Sequence, residues 1–331
     1  MTRDPAVTSA LVVDTALVLL VLGLALWVTS TRAAYSAVVG FVAYGRLMAI
    51  VWVRLAAVDV AMTEAALGTG LTGLLLLGAA ARLAPYEAAE INGRPGRGLR
   101  ILIGLLCAAI ALGLAAVVLM LPDPAPTLAP LVAENLPPTG VGNPVTGVLL
   151  AHRAIDTLLE SVVLVPALIG VWSVAADPAW GGRPGSLPRP RSSGALTLLA
   201  QVLPPFGILI GIHLVWNGAD DPGGKFQGAT VLAAMWILVL IAGLREPPAV
   251  RERRLRVLLV IGALVFIGIG VAGIWLADAF LAYPEGYAKP LILAIEAVLT
   301  LSIAATLGLL LAGPPASDHP SGGLYESKKS G

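Results

Sequence analysis

Arg153, Asp156 and Glu160 stand out in the run His152-Arg153-Ala154-Ile155-Asp156-Thr157-Leu158-Leu159-Glu160 because the flanking sequence is almost entirely Val, Leu, Ala and Gly. At about 3.6 residues per turn, positions i, i+3 and i+7 of a continuous helix share one face, so these charges are expected to form a stripe. A charge at the centre of a membrane helix costs on the order of 2.5–3.5 kcal/mol on insertion scales. Such a stripe therefore calls for a polar cavity or a partner subunit, and the chemistry open to it is the passage of protons or cations. The bland alternative is a structural ion pair between Arg153 and Asp156 at i+3. That leaves Glu160 with Asp156 at i−4 and no cation on its own helix, an arrangement suited to sharing a cation. Thr157 offers a hydroxyl as relay or cation ligand, or a bond to its own helix carbonyls.

A second group lies in Arg54-Leu55-Ala56-Ala57-Val58-Asp59-Val60-Ala61-Met62-Thr63-Glu64, at and below a tight turn. Asp59 near a helix start is favoured by the macrodipole and could cap that helix or take part in conduction. Glu64 lies more than a turn further in, where a cap cannot account for it, and is a translocation candidate. Arg46 is a countercharge for a carboxylate on a neighbouring helix or on a partner. Glu296, within another apolar run, is a further candidate, and Asp14 is expected to be structural; either could pair with a partner chain. Lys225 opens a helix after the Pro/Gly-rich hairpin Asn217-Gly218-Ala219-Asp220-Asp221-Pro222-Gly223-Gly224. A lysine at a helix N-terminus is unfavourable, so Asp220 or Asp221 is expected to answer it. His152 and His213 raise axial haem ligation, but both are expected near outer helix ends rather than paired at one depth, which suits interfacial histidines better.

The elements that must position these residues are membrane helices. The chain is 57% hydrophobic and 12% charged, with mean hydropathy +0.88, far from a soluble domain. The expected fold is an all-α polytopic bundle with about nine spans: 8–29, 33–55, 59–82, 99–121, 146–175, 196–217, 225–245, 255–277 and 288–313. The first is too long for a signal-peptide core and is interrupted by Asp14. Arginines cluster in alternate loops (Arg82, Arg94, Arg97, Arg100; Arg183, Arg189, Arg191; Arg245, Arg251, Arg253, Arg254, Arg256) and Lys328 and Lys329 lie near the end. The positive-inside rule then puts the C-terminus in the cytoplasm and the N-terminus outside. On the third helix, Ala66 with Gly70 and Thr69 with Gly73 are small-residue steps that permit close helix packing. The single cysteine, Cys107, excludes an intrachain disulfide and leaves nothing to hold an iron–sulfur cluster or structural zinc. Net charge near zero gives no indication of nucleic-acid binding. A Pro/Gly/Arg-rich linker, 177–195, is expected to separate a five-helix module, 1–176, from a four-helix module, 196–313, followed by a cytoplasmic tail, 314–331.

Three strings together carry a family resemblance. Asp220-Asp221-Pro222-Gly223-Gly224-Lys225-Phe226-Gln227-Gly228 resembles the Pro-Gly-Gly-Gly-Phe hairpin of the B subunit of Mrp-type multisubunit sodium/proton antiporters. Ala57-Val58-Asp59-Val60-Ala61-Met62-Thr63-Glu64-Ala65 resembles the Ala-Pro-Asp-Val-Ala-x-Thr-Glu signature of the C-terminal region of the Mrp A subunit, also found as a small subunit of membrane-bound hydrogenases. Asn143 to Glu160, with its Arg-x-x-Asp-Thr-Leu-x-Glu core, resembles the next segment of that region. The resemblance implies the C-terminal region of an A subunit fused to a B subunit, in a multi-pass inner-membrane complex with other antiporter subunits, moving Na+ and H+ without a cofactor of its own. Glu64, Arg153, Thr157 and Glu160 match positions tied to translocation in the family, and Asp123 resembles another acidic position. Val58 stands for the family proline, Lys225 for a hairpin glycine, and the large antiporter-like part of the A subunit is absent. The chain is thus expected to be a subunit, not a complete antiporter. Lys225 bears on the identity of the ion, because a fixed positive charge near an entrance opposes sodium. The alternatives are an adaptor that docks antiporter-like subunits to another module through its charges, and a haem or quinone redox subunit.

Overall fold

The computed structural model describes residues 5–87, 96–185 and 194–316. Residues 186–193 of the expected linker, with Arg189 and Arg191, lie outside the described residues. So do Arg94 and the tail from 317 onward, with Lys328 and Lys329.

The protein is a multi-pass membrane protein of the all-α class. Helices α1 (Pro5–Ser30), α2 (Ala34–Arg54), α3 (Val58–Thr63), α4 (Thr72–Glu87), α5 (Arg97–Met120) and α6 (Ala129–Asn135) are followed by the short α7 (Pro144–Gly147) and by α8 (Ala154–Trp172). The chain continues through α9 (Gly194–Asn217), α10 (Lys225–Ile241), α11 (Arg253–Leu276) and α12 (Ala288–Ala312). A π-helical stretch, Glu64–Leu71, makes α3 and α4 one continuous span, and a second, Val148–His152, follows α7. Among the described residues, eight helices are long and apolar enough to cross a membrane, and α10 is a shorter apolar helix of 17 residues.

At 1.5 Å per residue α10 is about 25 Å long, shorter than the ~30 Å hydrocarbon core. The expected span 225–245 ends early because Gly243 is left-handed (φ 71°) and the amides of Ala242, Gly243 and Leu244 fold back onto the carbonyls of Leu238, Leu240 and Val239. Pro204 and Pro205 lie inside α9, which continues through them to Asn217, in line with the expected span 196–217.

α12 is the central helix, with buried residues along its whole length, and packs against α8, α9, α10 and α11. Its Ile292, Ile295, Leu299, Ile303 and Leu307 form one core with Leu150, Leu158 and Phe266. α1 packs on α2, which packs on the α3–α4 span. α5 has no buried residue. At one end of the bundle the Gly142 and Asn143 amides donate to the Ala219 carbonyl, and Asp220 holds Lys289 at 2.7 Å. At the other end the Val250 and Arg251 amides donate to Gly182 and Gly181, Ala316 to Arg183, and Arg183 pairs with Glu246.

Candidate functional site: a cavity lined by three carboxylates and a lysine

The π-helical stretch that begins at Glu64 follows from its threonines. Thr69 donates to the Glu64 carbonyl at 3.1 Å and Thr72 to the Leu67 carbonyl at 3.0 Å, both five residues back, so hydroxyls support the widened turn. The Glu64 side chain is half-buried against glycines of two elements. A Cβ added to Gly45 of α2 would fall 2.9 Å from its Oε1, and one added to Gly68 would fall 2.7 Å from either oxygen. A Cβ at Gly45 would also collide with Thr69, so glycine there is what lets α2 approach the π-helical stretch.

One turn earlier, Asp59 is half-buried and does not cap its own helix. Its carboxylate accepts the Gly223 backbone N–H at 3.0 Å and faces the Asn143 amide at 3.4 and 3.5 Å, while Asn143 also donates to the Asp221 carbonyl at 3.0 Å. Gln227 completes this clasp, donating to Thr63 Oγ1 at 3.0 Å and to the Asp59 carbonyl at 3.4 Å. Three sequence-distant segments are thus held together by one carboxylate and two side-chain amides.

The fifth span, expected as a continuous helix over 146–175, is broken. Arg153 takes φ −130°, ψ 39°, between the π-helical stretch and α8. The freed carbonyls find side chains: Thr157 donates to Leu149 O at 2.6 Å, and Tyr283 donates to Leu150 O at 2.7 Å. Non-helical backbone at membrane depth survives only where its polar groups are satisfied in this way. Burial, with Glu296 nearby, pushes the Tyr283 hydroxyl above the ordinary tyrosine range, so it stays a donor.

The break divides the expected stripe. Arg153 Nε and Asp156 Oδ2 close to 2.6 Å, with side chains 71% and 47% exposed, which is the structural ion pair foreseen as the bland alternative. Glu160 alone of the three lines the cavity described next.

That cavity, of about 250 Å³, is enclosed by Asp59, Thr63, Thr146, Leu149, Leu150, Glu160, Gly223, Gly224, Lys225, Gln227 and Glu296, among others. Glu160 is an exposed residue, so the wall reaches the surface there. Lys225 is 3% exposed and Glu296 2%. Glu296 accepts the Lys225 backbone N–H, yet its Oε2 has no hydrogen-bond partner. Gly224 shapes this corner: its φ of 120° and ψ of −173° are open in practice only to glycine, and a Cβ would stand 3.3 Å from Glu296 Oε1.

The expected partner of Lys225 is corrected. Asp220 is taken by Lys289, and Asp221 accepts from the Asn217 amide at 3.2 Å, so neither answers Lys225, whose side chain lines the cavity instead. The hairpin closes on itself through the Gly224 amide to Leu214 O, which turns Lys225 inward. Asp14 pairs with Arg54 at 2.8 Å within the chain. Arg46 is exposed and forms none of the ion pairs among the described residues. Asp123 is exposed in the connection after α5, away from the cavity lining, and His152 and His213 are both exposed. The residues that sequence reasoning passed over are Asn143, Thr146 and Gln227. Their signal was an uncharged polar residue beside a helix start, within the hairpin string or the Asn143–Glu160 segment.

The chain is thus a multi-pass helical protein with a buried lysine, a buried glutamate and two further carboxylates around one cavity. Residues 195–313 match the family described as a domain related to the MnhB subunit of Na+/H+ antiporter, and residues 19–85 match MbhD, the family of the D subunit of MBH. The chain thus carries an MbhD-matching region and an MnhB-related domain in one polypeptide. It is 31% identical over 156 residues to the uncharacterized protein MJ1307 of Methanocaldococcus jannaschii, covering 43% of this chain and 60% of that protein. It is 30% identical over 162 residues to a Staphylococcus saprophyticus protein named as antiporter subunit mnhA2, covering 49% of this chain and 20% of that one. The chain thus spans less than two thirds of each of these relatives. In fold it is similar to a chain of the Mrp complex from Dietzia sp. DQ12-45-1b, with TM-score 0.69, 24% identity, and 92% of this chain and 35% of that chain covered. It is also similar to a chain of the membrane-bound sulfane sulfur reductase, an archaeal respiratory membrane complex, with TM-score 0.52, 23% identity, and 64% and 97% covered.

Proposed function

We propose that this subunit takes part in Na+ and/or H+ translocation within an Mrp-like, complex-I-related antiporter module, through the cavity shared by Asp59, Glu160, Lys225 and Glu296. The observation that carries the proposal is Glu296: a carboxylate 2% exposed, with one oxygen unpartnered, aimed into a cavity with two other carboxylates. Buried polar groups without partners are rare and call for a functional or structural explanation. Intramembrane carboxylates grouped at one depth are the usual components of proton and cation relays. Glu64, on the same span as Asp59, extends the route along α3 toward α4. Arg153, Asp156, Thr157 and Asp123 are then accessory: the first two as an exposed pair toward neighbouring chains, Thr157 as the brace of the broken span, Asp123 as an outer-end charge. The clasp joins a five-helix module, 1–176, to a four-helix module, 196–313. With the N-terminus outside and the C-terminus cytoplasmic, as loop arginines suggest, the cavity lies toward the outer end.

The test is sodium-dependent proton flux in vesicles carrying the assembled complex. Glu160→Gln and Glu64→Gln, with assembly intact, are each expected to lower coupled flux by roughly tenfold or more, a tenfold loss corresponding to about 1.4 kcal/mol in barrier height. Normal flux in both variants would sink the proposal. The adaptor reading is favoured by one observation, the exposed Arg153–Asp156 pair. It predicts instead that charge-neutral variants of that pair shed partner subunits on purification.

A further inference from the structure

Lys225 is the member of the cavity that a simple carboxylate relay does not use. It is 3% exposed and forms none of the ion pairs among the described residues. Its ammonium lies 5.0 Å from the centroid of the Phe226 ring, where the face of the aromatic attracts a cation. Its backbone N–H reaches Glu296, whose other oxygen is left without a partner. Asp59, Glu160, Gln227, Thr63 and Thr146, each with a side-chain oxygen, line the same cavity. A hard monovalent cation is bound by such carboxylate, amide and hydroxyl oxygens. A lysine ammonium is itself a compact monovalent cation, held here on a flexible stem.

We propose that Lys225 is a tethered cation that holds, beside Glu296, the place a sodium ion would take, so that the native cavity excludes sodium and removal of the lysine charge turns it into a sodium site. The functional meaning of this proposal rests on the translocation reading and narrows what passes the native cavity to protons, and its test is binding at one residue. The geometry explains why a buried lysine is tolerated at a helix N-terminus, where its charge opposes the macrodipole. Three carboxylates around one cavity offset that cost only while a cation stands among them.

The experiment uses native membranes containing the full chain and whatever subunits accompany it. A hydrophobic carbodiimide is applied in sodium chloride or in choline chloride, and modification of Glu296 is read by peptide mass spectrometry. In the native protein, sodium is expected to leave Glu296 labelling unchanged. In Lys225→Ala, labelling in choline is expected to fall about tenfold in sodium at ten times its Kd, as mass action requires for an occupied site. Lys225→Arg, which keeps the charge, should behave as the native protein. Lys225→Gln is the second neutral variant and should follow Lys225→Ala. Protection of Glu296 by sodium in the native protein overturns the proposal. So does lack of protection in the neutral variants, or failure of both to accumulate, since Lys225 would then be a structural counterion. Lost flux in Glu160→Gln without sodium protection in Lys225→Ala overturns this inference alone. Normal flux with protection leaves a cation site and removes the translocation reading.

Discussion

Arg153 and Asp156 close on each other at 2.6 Å on the exposed first turn of α8, whereas Lys225 and Glu296, both nearly fully buried, line a common cavity without forming an ion pair. The first pair is local: an arginine and a carboxylate three residues apart on one turn neutralise each other wherever that turn folds. The second exists only because α10 and α12 pack together and the Gly223-Gly224 hairpin turns Lys225 inward. A closed local pair has no open valence for a transported ion. Glu296, with one oxygen unpartnered, keeps an open valence for a proton. In this chain, charge spacing along one helix is therefore a poor guide to which charges line the cavity, and tertiary placement decides it.

The hairpin corner that creates the second group is the place where a single substitution should do most damage. Gly224 occupies a backbone region that costs a residue with a Cβ on the order of 1–3 kcal/mol. The added carbon of Gly224→Ala would also press on Glu296 Oε1 from 3.3 Å. The expected outcome is a loss of roughly 2 kcal/mol, or a shifted hairpin, read as a lower melting temperature of the purified subunit. An alanine tolerated without change in melting would show that the corner yields freely.

Next in size is Asp59, which fastens the α3 end to the hairpin. Asp59→Ala leaves the Gly223 N–H without its acceptor and Asn143 with fewer partners, at a cost of about 1–3 kcal/mol for a part-buried group. Asp59→Asn keeps an acceptor oxygen and should lose less. Limited proteolysis within the hairpin should rise in the alanine variant and barely change in the asparagine variant. Equal behaviour of the two would show that the charge, not the hydrogen bond, holds α3 to the hairpin.

Much of the fold was legible because a membrane span announces itself as about 20 apolar residues, and loops as Pro, Gly and Arg. What was hidden arises from backbone adjustments that carry no strong local mark. The break at Arg153 has no proline or glycine beside it; it depends on Thr157 and Tyr283 reaching the carbonyls of Leu149 and Leu150. The widened turn after Glu64 depends on threonines five residues ahead, a spacing that also fits an ordinary helix closely enough to pass unnoticed. Glu64, Glu160 and Glu296 could be singled out as carboxylates in apolar runs, yet only Glu160 and Glu296 line the same cavity, with Glu64 set against Gly45 and Gly68. Lys225 was visible as an oddity, but its partner was misassigned. Asp220, its near neighbour in sequence, is claimed by Lys289 from the first turn of α12, a competition that no local window contains.

The smallest expected effect belongs to the exposed pair, and it tests the contrast from the other side. Arg153 and Asp156 are solvent-accessible in the isolated chain, and pairs of that kind contribute little to the stability of the fold that carries them. The double variant Arg153→Gln with Asp156→Asn keeps both shapes and removes both charges. It should leave the melting temperature of the isolated subunit within about a degree, since surface changes are usually within about ±0.5 kcal/mol. Its effect should instead be seen in pull-downs of the assembled complex, where an uncapped polar surface on a membrane helix must meet another chain or a headgroup. Retained partners together with unchanged flux would make the pair structurally idle. Lost partners with residual flux in what remains would assign docking to the exposed charges and conduction to the buried ones, dividing between two clusters the roles that a single helical stripe would combine.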